Sequence, residues 1–197
     1  MKSDFFAFIS RMKYIARGSL IRSTVQENIQ EHSHMVAVLA HALGLIRRDV
    51  FGQPCDVERL AAIALYHDAP EILTGDLPTP IKYHSASIKN AYDEVESVAV
   101  EKLLAELPDA LQPAYRDLLT APQRPEEYAL VKAADRLAAY IKCVEERKAG
   151  NLEFSSAELA SRKKLDALEL PELTYFLEHF MPGFEKNLDE LGTLESS

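Results

Sequence analysis

A chain of 197 residues, 47% hydrophobic and 27% charged, has the size and balance of one soluble globular domain that can build its core without disulfides or structural metal. Its net charge of −9 excludes broad, nonspecific binding to nucleic acid polymers, and no apolar run approaches the roughly 18–20 residues of a membrane span. Cys55 and Cys143 form no motif and read as reduced thiols. The start, Met-Lys-Ser-Asp-Phe-Phe, lacks the apolar region of a signal peptide, so the expected compartment is cytoplasmic.

Seven glycines and few β-branched runs favour helices over strands, which makes the expected fold class all-α. Residues 4–16 place Phe5, Phe8, Ile9, Met12 and Ile15 on one helical side, and Gly18-Ser19 break the pattern. Lys2, Arg11, Lys13, Arg17 and Arg22 face only Asp4 here, a local reversal of the global charge that leaves a small anionic substrate open. The next helix has two possible starts, Thr24 with Glu27 and Asn28 with Glu31, and runs to about Asp49. Val36, Leu39, Leu43 and Ile46 share its inward face with His32, while His34 and His41 point away.

Asp56 caps a third helix whose inward stripe is Val57, Ala61 and Ala64. Asp68 continues that stripe, and His67 and Glu71 sit at its edge. Pro70 interrupts the helix, Thr74-Gly75 suits a left-handed C-cap, and Asp76 to Pro80 form a rigid loop whose Thr79-Pro80 opens another helix. Further helices are expected over about 87–107, 109–120 and 126–148, the last stopped by Gly150. Asp135 lies in that last helix among small residues, but off its strongest apolar stripe of Leu130, Leu137, Ile141 and Val144. Helices over about 153–169 and from Pro171 to about Leu191 complete a single domain, 1–192, and residues 193–197 read as a disordered tail.

His67, Asp68, Glu71 and Asp76 fall within ten residues, on and just past an apolar helix. Burying such groups without partners costs on the order of a few kcal/mol each, and a metal ion would partner most of them. With His32 and Asp135 supplied by other helices, the candidate ligands are His32, His67, Asp68 and Asp135. Imidazole with carboxylate suits Mn, Fe, Co, Ni or Zn better than Mg or Ca. Each residue also has a plainer reading. His32 fits a hydrogen-bonded core histidine, Asp68 a helix acid on backbone amides, and Asp135 a partner of Lys132, Arg136 or Lys142. Glu71 fits a surface position, and Asp76 a turn beside Gly75. Residue chemistry alone leaves both readings open.

The segments Glu31-His-Ser33, His67-Asp-Ala-Pro-Glu71 and Ala134-Asp135 resemble the HD-domain metal-dependent phosphohydrolases. The longer stretches 5–17, 27–33, 66–83 and 131–146 resemble, in order and over nearly the whole chain, the bacterial 5'-deoxynucleotidases. That resemblance implies an all-α HD-domain helical bundle, a homodimer, and removal of the 5'-phosphate from deoxyribonucleoside 5'-monophosphates with one divalent transition metal ion such as Co or Mn. It maps the metal ligands onto His32, His67, Asp68 and Asp135, a phosphate-orienting arginine onto Arg17, and a catalytic acid onto Glu71. Substrate contacts map onto Arg17, Gly18, His32, Asp68, Asp76, Leu77, Pro78, Thr79 and Asp135. Where the family pattern carries a Trp after the phosphate arginine, this chain has Gly18, and it contains no Trp at all. The resemblance therefore implies weakened reading of the sugar 2' position. Two other functions stand beside this one: an HD phosphohydrolase acting on another nucleotide ester, and a non-catalytic, metal-binding regulatory protein.

Overall fold

A computed structural model describes residues 2–18 and 20–192, apart from the side chains of Thr79, Glu126 and Glu127; the tail expected at 193–197 lies outside them. The helix expected over 4–16 is two tighter pieces, α1 (Phe5–Ile9) and a 3-10 turn from Ser10 to Tyr14. The change of winding keeps Phe5 and Met12 buried and delivers Ile15 in extended backbone, so Ala16 can form an antiparallel bridge with Asn28. Among the described residues this isolated bridge is the only β pairing, and no named strand occurs.

Of the two possible starts for α2 (Ile29–Leu45), the chain uses Asn28. Its side chain accepts the N–H groups of Gln30 and Glu31, and the Glu31 carboxylate returns to the Asn28 N–H, a complete capping box. A π-helical turn, Ile46–Val50, ends this segment. Asp56 caps α3 (Val57–Tyr66) as expected, and the inward stripe is Val57, Leu60, Ile63 and Ala64, with Ala61 only half-buried. Gly44 lets α2 and α3 close on each other, since a Cβ there would stand 3.1 Å from Leu60 Cδ1 and 3.3 Å from Val57 Cγ1.

Pro70 does interrupt the chain: a turn follows Tyr66, then α4 (Glu71–Thr74). Gly75 has φ 74° and ψ 163°, so it is not a left-handed helical cap; it occupies an extended region open essentially to glycine and throws the chain outward into the 76–78 loop. Then come α5 (Thr79–Lys82), α6 (Ala86–Ala105), α7 (Gln112–Leu119), α8 (Pro125–Lys148) and α9 (Ser155–Asp166). The single last helix expected from Pro171 is divided. Phe180 separates α10 (Pro171–His179) from the short α11 (Met181–Phe184), because Pro182, at the second position of α11, has no N–H with which to continue the earlier helix and its ring crowds the carbonyl four residues back.

The larger buried cluster joins α2, α3 and α8, with Leu165, Leu173 and Phe176 packed on from α9 and α10. A smaller one gathers Phe5, Val100, Leu103, Leu104 and Leu119 from α1, α6 and α7, together with Leu107 just past α6 and Ala69. Ala64 belongs to the first cluster and Ala69 to the second. The strip containing His67 and Asp68 thus runs along the seam between two cores, where a polar group can be held rigidly without lying inside either.

Candidate metal centre

Three helices meet at this seam. His32 stands one turn into α2 on the face set by Val36 and Leu39, and it is fully buried, at 0% exposure. His67 and Asp68 occupy the turn after α3, and Asp135 comes from the middle of α8. His32 Nε2 lies 2.9 Å from Asp135 Oδ1 and 3.9 Å from Asp68 Oδ2, and His67 Nε2 lies 3.1 Å from Asp68 Oδ1. One ligand atom each from His32, His67 and Asp135 fit within 4.8 Å of one another. Asp68 is outside that group of three, yet its two oxygens face both imidazoles.

The hydrogen bonding suits a cation at this point. His67 Nδ1 donates to the Ala64 carbonyl at 2.7 Å, which fixes the neutral tautomer and leaves a lone pair on Nε2. That Nε2 is buried without a hydrogen-bond partner, as are His32 Nδ1 and Glu71 Oε2. A lone pair facing the Asp68 carboxylate at 3.1 Å calls for a positive charge between them. The ring can supply it as a proton: burial opposes the charged form, but Asp68 outweighs burial and, with Asp135 and the Ala64 carbonyl, pushes His67 up to about 9. A metal ion answers the same demand. The donor set of imidazole nitrogens and carboxylate oxygens fits a transition metal.

Burial would raise the carboxyls of Asp68 and Asp135. The histidines overcome it in both, with Arg17 adding to the effect on Asp135, so both are held below the usual carboxylate range. Glu71 goes the other way. It is 8% exposed, and burial, with Asp68 and Asp76 nearby, pushes it up to about 9. Acids of opposite protonation habit therefore stand side by side in one site.

Arg17 reaches this point from the N-terminal connector. Its Nη2 donates to Asp135 Oδ1 at 3.4 Å, and its Nη1 lies 3.6 Å from Glu27 Oε2. Asp135 therefore turns to Arg17 and His32, not to Lys132, Arg136 or Lys142. Gly18 joins the next group: its N–H donates to Asp76 Oδ2 at 2.9 Å, tying the connector to the 76–78 loop. Its φ of +65° suits glycine, and the space where a side chain would project is empty to 4 Å. Leu77 and Pro78 follow Asp76 in that half-buried loop, and Thr79 opens α5. His34, His41, His84 and His179 are exposed.

A cleft of about 630 Å³ opens from His67, Asp68 and Asp135 past Lys82, Tyr128 and Lys132. About a third of the Asp135 side chain, 32%, is exposed. Tyr128, Lys132 and Lys82 escape a reading based on motifs. A helical signal for two of them exists, since Tyr128 and Lys132 precede Asp135 by seven and three residues and so share its face of α8.

A family model described as 5'-deoxynucleotidase YfbR-like matches residues 4–184. A 5'-deoxynucleotidase of Vibrio vulnificus is 47% identical over 191 residues, covering 96% of this chain and 98% of the relative. Among solved structures, an HD-domain phosphohydrolase from Listeria innocua superposes with a TM-score of 0.76 at 26% identity, over 92% of this chain and 88% of the other. An HD phosphohydrolase of cyanophage S-2L, bound to dA and one catalytic zinc ion, shares the fold at a TM-score of 0.61 and 22% identity, over 87% and 93% of the two chains.

Proposed function

The chain belongs to the YfbR-like 5'-deoxynucleotidase family, and from that membership we propose how it works. It is an HD-domain phosphoric monoester hydrolase that removes the 5'-phosphate from deoxyribonucleoside 5'-monophosphates, leaving deoxyribonucleoside and phosphate. The observation that carries the mechanism is the convergence of orphaned imidazole nitrogens, two low-pKa carboxylates and a guanidinium at one seam. His32, His67, Asp68 and Asp135 are the proposed ligands of one divalent ion, with Mn or Co as the proposed metals. When bound, such an ion polarises a phosphoryl oxygen and lowers the pKa of water towards about 7.

The chain's own residues supply the rest. Arg17, always charged and planar, binds the phosphate and offsets charge as it develops. Its contact with Asp135 already brings the guanidinium to the edge of the ligand cluster. Glu71 is the proposed proton-transfer group. Its raised pKa keeps it protonated near neutrality, which supports donation to the departing 5'-oxygen. Asp76, Leu77, Pro78 and Thr79 are the proposed contacts to the sugar, and Gly18 lies beside them through its bond to Asp76.

A homodimer is also proposed, on the family resemblance. A cytoplasmic setting is proposed on the two free thiols, Cys55 and Cys143. No helix among the described residues is long and apolar enough to cross a membrane. The deciding experiment is phosphate release from the common deoxy- and ribonucleoside 5'-monophosphates with Mn or Co. Turnover of the deoxy series is expected, and metal binding without turnover of any of them would contradict the assignment.

A further inference from the structure

Glu146 is a buried acid that the reaction does not use. It lies near the C-terminal end of α8 and is 1% exposed. Its Oε2 accepts the N–H and hydroxyl of Thr24, both at 2.8 Å, and Asn151 Nδ2 at 3.0 Å. Its Oε1 meets Lys142 Nζ at 2.8 Å and the Val25 N–H at 3.5 Å. The same two partners hold the connector independently: Lys142 Nζ donates to the Val25 carbonyl at 2.7 Å, and Asn151 Nδ2 to the Arg22 carbonyl at 2.6 Å. Residues 22–25 are thus pinned by their backbone to the end of α8.

What the pinned segment leads to gives the clamp a second meaning. Two residues beyond Val25, the Glu27 carbonyl accepts the Arg17 N–H at 2.9 Å, and the Glu27 carboxylate lies 3.6 Å from the Arg17 guanidinium. The adjacent Ala16–Asn28 bridge closes the connector on itself. Arg17 therefore takes its position from a short stretch, 24–28, fixed at one end by Glu146 and at the other by the cap of α2. We propose that Glu146 is a positioning residue for the reaction, acting through Thr24, Val25 and Glu27 to hold the Arg17 guanidinium over Asp135. The proposal rests on Arg17 being the phosphate arm. Loosening the clamp leaves the ligands in place but lets the guanidinium wander, and misplacement by about 1 Å can cost on the order of 10²-fold in rate.

The test is a double-mutant cycle. Glu146→Gln and Glu146→Ala are made in the native and the Arg17→Ala backgrounds, with kcat, KM, bound metal and thermal stability measured for each. Glu146→Gln should lower kcat by roughly ten- to a hundred-fold in the native background, with metal content unchanged. The same substitution should change kcat by less than about twofold once Arg17 is absent, because the group it positions is gone. Equal losses in both backgrounds, or wild-type kcat in Glu146→Gln, would overturn the proposal. Full turnover in Arg17→Ala would instead remove the phosphate arm itself, a separable failure. If Glu146→Ala does not fold, Glu146→Gln and Thr24→Val carry the cycle with the same expectations.

Discussion

Asp135 and Glu146 stand eleven residues apart on α8, about 20° from a shared face and roughly 16 Å along the axis, and the chain completes them differently. Both are held below the usual carboxylate range against burial, which alone would raise them. At Glu146 the protein supplies the compensation from its own groups: Lys142, Thr24, Val25 and Asn151 all point at the carboxylate. At Asp135 it does not finish the task. His32 and Arg17 approach, but the cluster around them keeps His32 Nδ1, His67 Nε2 and Glu71 Oε2 without hydrogen bonds. Buried polar groups are ordinarily satisfied, so a concentrated shortfall marks the place where something from outside is expected to bind. The complete end of α8 pins the connector, and the incomplete end is the proposed seat of the chemistry.

Substitutions at the incomplete end should have the largest effect on activity and little on stability. Asp135→Ala or His67→Ala should lose bound metal and lower hydrolysis on the order of 10²–10³-fold or more, while the metal-free protein keeps its native circular dichroism and a midpoint close to wild type. A large loss of stability there would erase the contrast. Arg17→Ala should keep its metal and still lose about 10²-fold in kcat, measured by phosphate release alongside elemental analysis.

The complete end should add a stability cost to the smaller rate loss that Glu146 transmits through Arg17. Glu146→Ala orphans the Thr24 donors, strips Lys142 of its counter-charge and should cost about 2–3 kcal/mol in denaturant unfolding, the scale for a broken buried network under the thin cover of residues 22–25. The pH dependence follows from the sign of its shift. Burial opposes ionisation, but Lys142, Thr24 and Asn151 outweigh it, so the folded carboxyl titrates below its unfolded value near 4.3. That stability is present above pH about 4.3 and lost as pH falls below it towards the folded value. Acid unfolding of the wild type should therefore be steeper than that of Glu146→Gln, and parallel curves would mean that the clamp carries little of the stability.

The smallest expected effect sharpens the incomplete end. With Gly18 where the family pattern has Trp, the preference for dAMP over AMP in kcat/KM should fall well below the roughly 10²-fold that an apolar wall achieves against an added hydroxyl. Strong rejection of AMP would point to another residue reading the sugar.

The two ends also differ in how far the sequence reveals them. His32 was legible because helical spacing carries it onto the face of Val36 and Leu39, and His67-Asp68 because an acid prolongs an apolar stripe. Asp135 is off the stripe of its helix, marked locally only by the small residues around it, and its partners His32 and Arg17 lie 103 and 118 residues away, so its role as a ligand stayed open on residue chemistry alone. Glu146 sits in Glu-Glu-Arg-Lys near a helix end, a run that looks solvated, and Thr24 looks like a helix cap. Each is explained by the other, 122 residues apart, which no local pattern records. The division of the last helix, by contrast, was written locally in Pro182, and the apolar periodicity around it masked the break.

Reconstitution of chelated protein tests the central contrast most directly. After prolonged chelation, with residual metal verified as absent, hydrolysis of dAMP should vanish and return on addition of Mn or Co. Full hydrolysis by the verified metal-free protein would contradict the claim that the Asp135 end of α8 is a site completed from outside.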